Sequence, residues 1–212
     1  QDDEDADGKL IASKVVAPKI SELIKGQPIE LDVHHIGLMG YAWNKVYRRS
    51  FLNQHNFRFE KGISLVEDIL FNAPIYTISQ KIVFNPKTYY HYFNRPVATL
   101  MKTFHENSFE LKKRKNLVLE QFFDEWKIKN SDQILGHLHI QGIRYCIHNL
   151  FSFKNQLNFN QKIDYIKRMY KDEMTLRYIK KYKAKDKNSK IYSYLINNQM
   201  AFTSGIMAKM IK

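Results

Sequence analysis

From residue 106 onward, five consecutive stretches (106–129, 132–153, 160–171, 174–183 and 189–211) repeat apolar residues at helical spacing. A period near 3.6 gives each helix one apolar face, and that face must be buried against another element. The second half therefore predicts a bundle of about five helices joined by short polar turns. The first half lacks this regularity. Residues 1–9, QDDEDADGK, read as an acidic tail or exposed loop. Residues 10–25 have near-helical spacing interrupted by Pro18, with Gly26 as a stop, and 27–42 read as loop and short strand. Residues 43–54 predict a short helix with Val46, Phe51 and Leu52 on one side, and 57–64 an extended segment entering a loop at Gly62. A helix over 65–78 follows, with Ser64 as N-cap, Glu67 at the capping-box position and Pro74 as a kink. Two strands are expected at 81–85 and 88–94, separated by Pro86-Lys87. The fold class is α/β, α+β in this piece. Its parts are 1–9, a mixed part over 10–105 and a basic, Tyr-rich helical part over 106–212, and no fixed-period repeat is present.

Charge follows the same division. The 212 residues carry 34 Lys/Arg and 21 Asp/Glu, a net of +13. Residues 1–105 hold 13 basic and 11 acidic residues, net +2, and the remainder holds 21 and 10, net +11. An excess confined to one half suits an anionic partner or a Lys-rich solvated helical surface. The single cysteine, Cys146, excludes an intramolecular disulfide framework and a Cys-based zinc knuckle, and reads as a buried thiol. No apolar run approaches the roughly 20 residues of a membrane span. The first residue is Gln, no signal-peptide pattern follows, and the start reads as a processing boundary with sequence upstream of it.

Glu67-Asp68 is the sharpest local feature. Two adjacent carboxylates open an apolar helix after a Gly-containing loop. Neighbours on a helix point to different sides, so one acid can support the loop while the other enters a cleft as a candidate general base. The structural alternative is that both complement the helix dipole.

Residues 42–102 resemble the C-terminal part of bacterial family 2 glycosyltransferases. The resemblance rests on Trp43-Asn44-Lys45, the basic Arg48 and Arg49, Phe57-x-Phe59 with Gly62, Glu67-Asp68 with Phe71, the aromatic strand Tyr89-Tyr90-His91-Tyr92, and Arg95, in that order. It implies the acceptor-side part of a GT-A fold, with the helical segment after it matching only in texture. It implies transfer of a sugar from a nucleotide-sugar to a glycan or lipid-linked acceptor in surface-polysaccharide synthesis, with inversion. Asp68 matches the family's base and Glu67 would orient the acceptor or the loop. Trp43 would stack on a sugar ring, and Asn44 and Lys45 would hydrogen-bond the acceptor or donor phosphates. Arg48, Tyr92 and Arg95 complete the candidate substrate contacts. The complete enzyme is expected to hold a divalent metal, Mn or Mg, through an Asp-x-Asp motif in a donor half that this chain lacks. Asp3-x-Asp5 and Asp5-x-Asp7 have the letters, but no apolar strand precedes them. The chain alone is therefore expected to be inactive.

Other groups carry less. His91 is a weak candidate metal ligand, and His34, His35 and His105 weaker ones. His137, His139 and His148 fall in a helical stretch where His137 and His148 can share a face. The basic run 177–190, with Tyr178, Tyr182, Tyr192 and Tyr194, and the apolar close of the chain suit an anionic membrane surface or a packed bundle with Lys outside. No RNA- or DNA-binding motif accompanies it, so nucleic acid is not an expected partner. The location implied is cytoplasmic, peripheral on the inner face of the cell membrane, with a partner glycosyltransferase as a further candidate contact. The competing reading is a non-catalytic module that docks a partner enzyme or an anionic membrane.

Overall fold

The computed structural model describes residues 22–85, 87 and 103–210, together with the backbone of 2–4, 10–13 and 92–93. Within them the protein is a mostly helical α+β chain. Strands β1 (Asp2–Glu4), β2 (Leu10–Ser13) and β3 (Glu22–Ile24) precede helices α1 (Val33–Gly40), α2 (Arg49–Gln54) and α3 (Glu67–Ile78). After β4 (Lys81–Val83) and β5 (Tyr92–Phe93) come α4 (Ser108–Trp126), α5 (Ser131–Ser152), α6 (Phe159–Lys171), α7 (Glu173–Lys181), α8 (Lys187–Asn197) and α9 (Ala201–Met210). β1 pairs antiparallel with β2 and parallel with β5, and β3 pairs antiparallel with β4.

Several local expectations change. Asp2–Glu4, read as an acidic tail, form a paired strand, because ladder hydrogen bonds use the backbone whatever the side chains. Leu10–Ser13 are strand rather than the start of a helix. The segment read as loop contains α1, opened by a capping box in which the Asp32 side chain accepts the His35 N–H at 2.8 Å. Histidine fills the place that glutamate or glutamine usually takes. The 43–54 helix shrinks to α2, and Val46, placed on its apolar side, is 100% exposed in the preceding loop. Helix α3 starts at Glu67 after Val66, with no side-chain cap from Ser64, and Leu65 before it takes φ +74°. That left-handed conformation turns the chain abruptly into the helix. Pro74 lies inside α3 and leaves the Leu70 carbonyl without its i+4 amide donor. The last expected helix is two, broken where Gln199 adopts φ +53°.

The core does not stop at the residue-105 boundary drawn from composition. Tyr76 and Ala73 of α3 pack with Leu119, Phe122, Phe123 and Trp126 of α4 in one cluster, joined by Ile134 of α5 and Tyr178 of α7. Trp126 is fully buried and its indole N–H donates to the Tyr76 carbonyl at 2.7 Å. Replacing such a residue by Ala costs on the order of 3–5 kcal/mol. The Asn130 amide adds a second tie, exchanging hydrogen bonds with the Leu31 backbone across 99 residues of chain. A second cluster joins the later part of α5 to α6, α8 and α9, with Ile140, Ile147, Leu150, Ile166 and Ile196 almost wholly buried. Among the described residues no helix is long and apolar enough to cross a membrane.

Candidate functional site

The site is built by one face of α3. Residues 68, 72 and 76 are four apart and lie on one stripe of the helix. Asp68 Oδ2 accepts the Ala42 N–H at 3.2 Å, Asn72 Nδ2 donates to the Gly40 carbonyl at 2.9 Å, and the Tyr76 hydroxyl donates to the Met39 carbonyl at 2.9 Å. The Tyr47 hydroxyl reaches back to Asn72 Oδ1. These bonds clamp the end of α1 and the loop 41–48 onto α3.

Lys45 closes the loop from within. Its ammonium donates to the Leu38 carbonyl at 2.7 Å, to Asn44 Oδ1 at 2.7 Å and to the Tyr41 carbonyl. Asn44 Nδ2 also donates to the Leu38 carbonyl, at 3.1 Å. A helix C-terminus leaves carbonyls without intrahelical donors. Here those of Leu38, Met39, Gly40 and Tyr41 are all met by side chains, and a cation at this end also complements the dipole. Burial pulls the Lys45 amine down to about 7, with nearby Asp68 opposing the shift. Three acceptors match the three N–H groups of an ammonium, so hydrogen bonding too supports its charged form. Burial, and then the Asp68 carboxylate, push the Tyr47 hydroxyl up to about 12.

Two features meet at this loop. Tyr41 and Trp43, on either side of Ala42, stack with centroids 5.0 Å apart and planes at 24°. Asp68 is half-buried, and among the described residues no donor reaches its second oxygen. A carboxylate fixed at one oxygen by the amide between two stacked aromatics can accept a proton from a hydroxyl brought to the loop.

Glu67 diverges from its neighbour. Its Oε2 is buried without a hydrogen-bond partner, and its charge is felt by Lys112 of α4. The two acids do occupy different environments, but it is Asp68 that takes the loop N–H. Arg48 is exposed at the N-cap of α2. Arg95 and His91 lie outside the described residues, and for Tyr92 only the backbone in β5 is described. His34 is exposed on α1 and His35 is buried in its capping box, while the His105 N–H donates to Asn149. Among the described residues no three His, Cys, Asp or Glu side chains are grouped so as to hold a metal ion.

Sequence reasoning missed Asn72, Tyr76 and Tyr47, which hold the loop. Their signal was present as a polar Asn among the apolar residues of α3, where a fully buried amide needs partners. It also missed the buried polar line from Asn116 through His139 to Thr175, at 3.2 and 2.8 Å. Burial pulls the His139 imidazole down to about 4. His137 meets the Tyr182 hydroxyl at 3.0 Å, and exposed His148 packs edge-on against Phe153. Cys146 is fully buried, and burial pushes its thiol up to about 11. No family model, no curated protein and no solved structure matches the chain.

Proposed function

We propose that the chain is the acceptor-side part of an inverting, GT-A type sugar transferase with Asp68 as general base. The observation that carries this reading is the placement of Asp68, held by the Ala42 N–H between Tyr41 and Trp43 with one carboxylate oxygen left over. In the reaction, the acceptor hydroxyl gives its proton to that oxygen as its own oxygen bonds to the anomeric carbon. The bond from that carbon to the nucleoside diphosphate breaks, and the leaving group takes the electron pair. Glycan rings present C–H faces that pack on aromatics, so the stacked pair positions the acceptor. Asn44 and Lys45 support the reading differently from what the resemblance implies, by shaping the loop through its carbonyls rather than by contacting phosphate. Arg48 is an exposed cation at the end of the loop that suits the donor phosphates. A glycan or lipid-linked acceptor of surface polysaccharide, and a cytoplasmic place against the membrane, belong to the same reading.

The test uses tryptophan emission. The protein has two tryptophans and Trp126 is fully buried, so a ligand at the loop alters Trp43 alone. Titration with oligosaccharides representing surface glycans is expected to give a saturable change that Tyr41→Ala weakens by about tenfold. Emission unmoved by every glycan sinks the acceptor site.

One observation favours the second reading, docking on an anionic membrane. Helix α9 packs inward through Ala201, Ser204 and Gly205 and turns Phe202, Ile206 and Met210 outward, 58%, 40% and 81% exposed. These residues are four apart, Lys209 lies beside them, and α9 contains no acidic residue. Such a stripe suits the headgroup boundary of an anionic bilayer. Co-sedimentation with phosphatidylglycerol vesicles at low salt, lost in Phe202→Ser/Met210→Ser, is the expected result. No binding there removes this reading and leaves the sugar-transfer reading standing.

A further inference from the structure

The Phe57-x-Phe59 pair divides between two helices. Phe57 turns to α2, where its N–H donates to the Leu52 carbonyl at 2.9 Å and its ring lies 6.2 Å from that of Phe51. Phe59 turns to α3, and its ring stacks on that of buried Phe71 with centroids 4.1 Å apart and planes at 11°. A near-parallel stack covers one face of a ring. The Phe59 side chain is 49% exposed, so the other face meets water.

A lone exposed aromatic on a loose loop calls for no explanation. This ring is held from both sides. Arg58, before it, donates to Asn53 Oδ1 at 3.1 Å and to the Phe57 carbonyl at 2.7 Å. Glu60, after it, accepts a two-pronged pair from Arg114 of α4, one contact being 2.9 Å. The segment is therefore tied to α2 and to α4 while the ring sits on α3. An aromatic fixed before its ligand arrives loses little freedom on binding.

Phe71 joins this ring to the Asp68 site. It follows Asp68 by three residues on α3, a spacing that makes the two side chains neighbours with Cβ atoms about 5–6 Å apart. It also meets the ring of Tyr47 edge-on, with centroids 5.6 Å apart. The Tyr47 hydroxyl in turn donates to Asn72, which holds the Gly40 carbonyl. Each link from Phe59 to the 41–48 loop is thus a direct contact.

We propose that the open face of Phe59 is a second sugar subsite, and that the acceptor is a glycan of at least two pyranose rings. One ring sits at the loop of Tyr41, Trp43 and Asp68, and another, further along the glycan, packs on Phe59. This subsite rests on the acceptor reading of the Asp68 site and adds the class of acceptor, an oligomer rather than a single sugar. Pyranoses with equatorial hydroxyls expose axial C–H bonds on a flat face, and such a face suits the negative face of an aromatic ring.

Calorimetric titration of the protein with β-linked glucose and N-acetylglucosamine oligomers, monomer through tetramer, tests the subsite. Affinity is expected to rise about fivefold once the chain is long enough to reach Phe59, the contribution of one added ring contact. Phe59→Leu keeps an apolar side chain on Phe71 but removes the flat face, so it should abolish the rise and leave monomer affinity unchanged. Phe59→Tyr should retain the rise. Tyr194→Ala, which removes an exposed ring from α8, should alter neither affinity. Equal affinity for monomer and tetramer, with Trp43 emission responding to both, overturns this proposal alone and leaves the acceptor reading standing. A rise that persists in Phe59→Leu, or that Tyr194→Ala abolishes equally, also overturns it. So does uridine binding that Phe59→Leu weakens while sugar affinity stays unchanged, which assigns the ring to a nucleobase. Binding of no sugar at any length overturns the subsite and the acceptor reading together.

Discussion

Asn72 is the residue on which the geometry of the 41–48 loop turns, and Asn72→Leu removes its amide while nearly conserving volume. The side chain is fully buried, donates to the Gly40 carbonyl at 2.9 Å and accepts from the Tyr47 hydroxyl. In the variant the Gly40 carbonyl, at a half-buried position, loses its donor at a cost of about 1–2 kcal/mol. Tyr47 is half-buried as well and its hydroxyl can turn partly to water, so its share is about 0.5–1 kcal/mol. The sum is about 1.5–3 kcal/mol, which lowers Tm by roughly 3–12 °C for a chain of this size. The loop should loosen with it, and Trp43 emission should shift to the red while Trp126 stays buried in the core. Thermal denaturation followed by circular dichroism, with emission spectra recorded below the transition, measures both. A fall under about 1 °C with unchanged emission would refute the claim that α3 holds the loop through Asn72.

Other expectations are local. His139 is neutral in the fold, with its imidazole pulled to about 4 against 6.5 for the free side chain. Its contribution is complete above pH 6.5 and is lost as pH falls toward 4, by about 3 kcal/mol. Urea midpoints across that window should fall with acidification, and His139→Gln should flatten the slope; the facing charges Asp172, Lys113 and Arg177 remain in both proteins. An equal slope in the variant would assign the acid sensitivity elsewhere. Gly136 lies where a Cβ would come 2.6 Å from the Cβ of Tyr182, so Gly136→Ala should push α5 away from the chain after α7. The expected cost is about 1–3 kcal/mol in a denaturant titration, and a neutral result would mean that the approach is looser than described.

The long helices were legible because their period is strong and uninterrupted. Leu111, Leu119, Phe122 and Trp126 in α4 are buried on the side that the spacing defines. The α8–α9 break was not legible, because apolar residues continue on both sides of the polar Asn197–Gln199 turn. Helix α1 was hidden by its brevity and by a histidine where the capping rule looks for Glu or Gln. The Ser64 cap failed because Leu65 takes a left-handed turn, a backbone event that a side-chain pattern does not announce.

At the candidate site, the divergence of Glu67 and Asp68 was legible, since adjacent helical residues face different ways. Which acid faced which partner was not, because that depends on where α4 brings Lys112 and where α1 ends. The loop-shaping roles of Asn44 and Lys45 were likewise set by carbonyls of α1, a helix absent from the sequence reading. Much of what a short motif contributes here is the capping of a neighbouring helix.

The most direct test of Asp68 as a base compares Asp68→Asn with Asp68→Ala in the full-length protein, measuring sugar transfer and thermal stability together. Asn keeps an oxygen to accept the Ala42 N–H, whereas Ala removes both that acceptor and the proton acceptor. The account predicts that Asp68→Asn melts within about 2 °C of wild type yet loses turnover by a factor of about 10²–10⁴, the contribution of a positioned general base. Asp68→Ala should lose both turnover and stability. Transfer at the wild-type rate by a stably folded Asp68→Asn protein would contradict the account and leave Asp68 as a clamp for the loop.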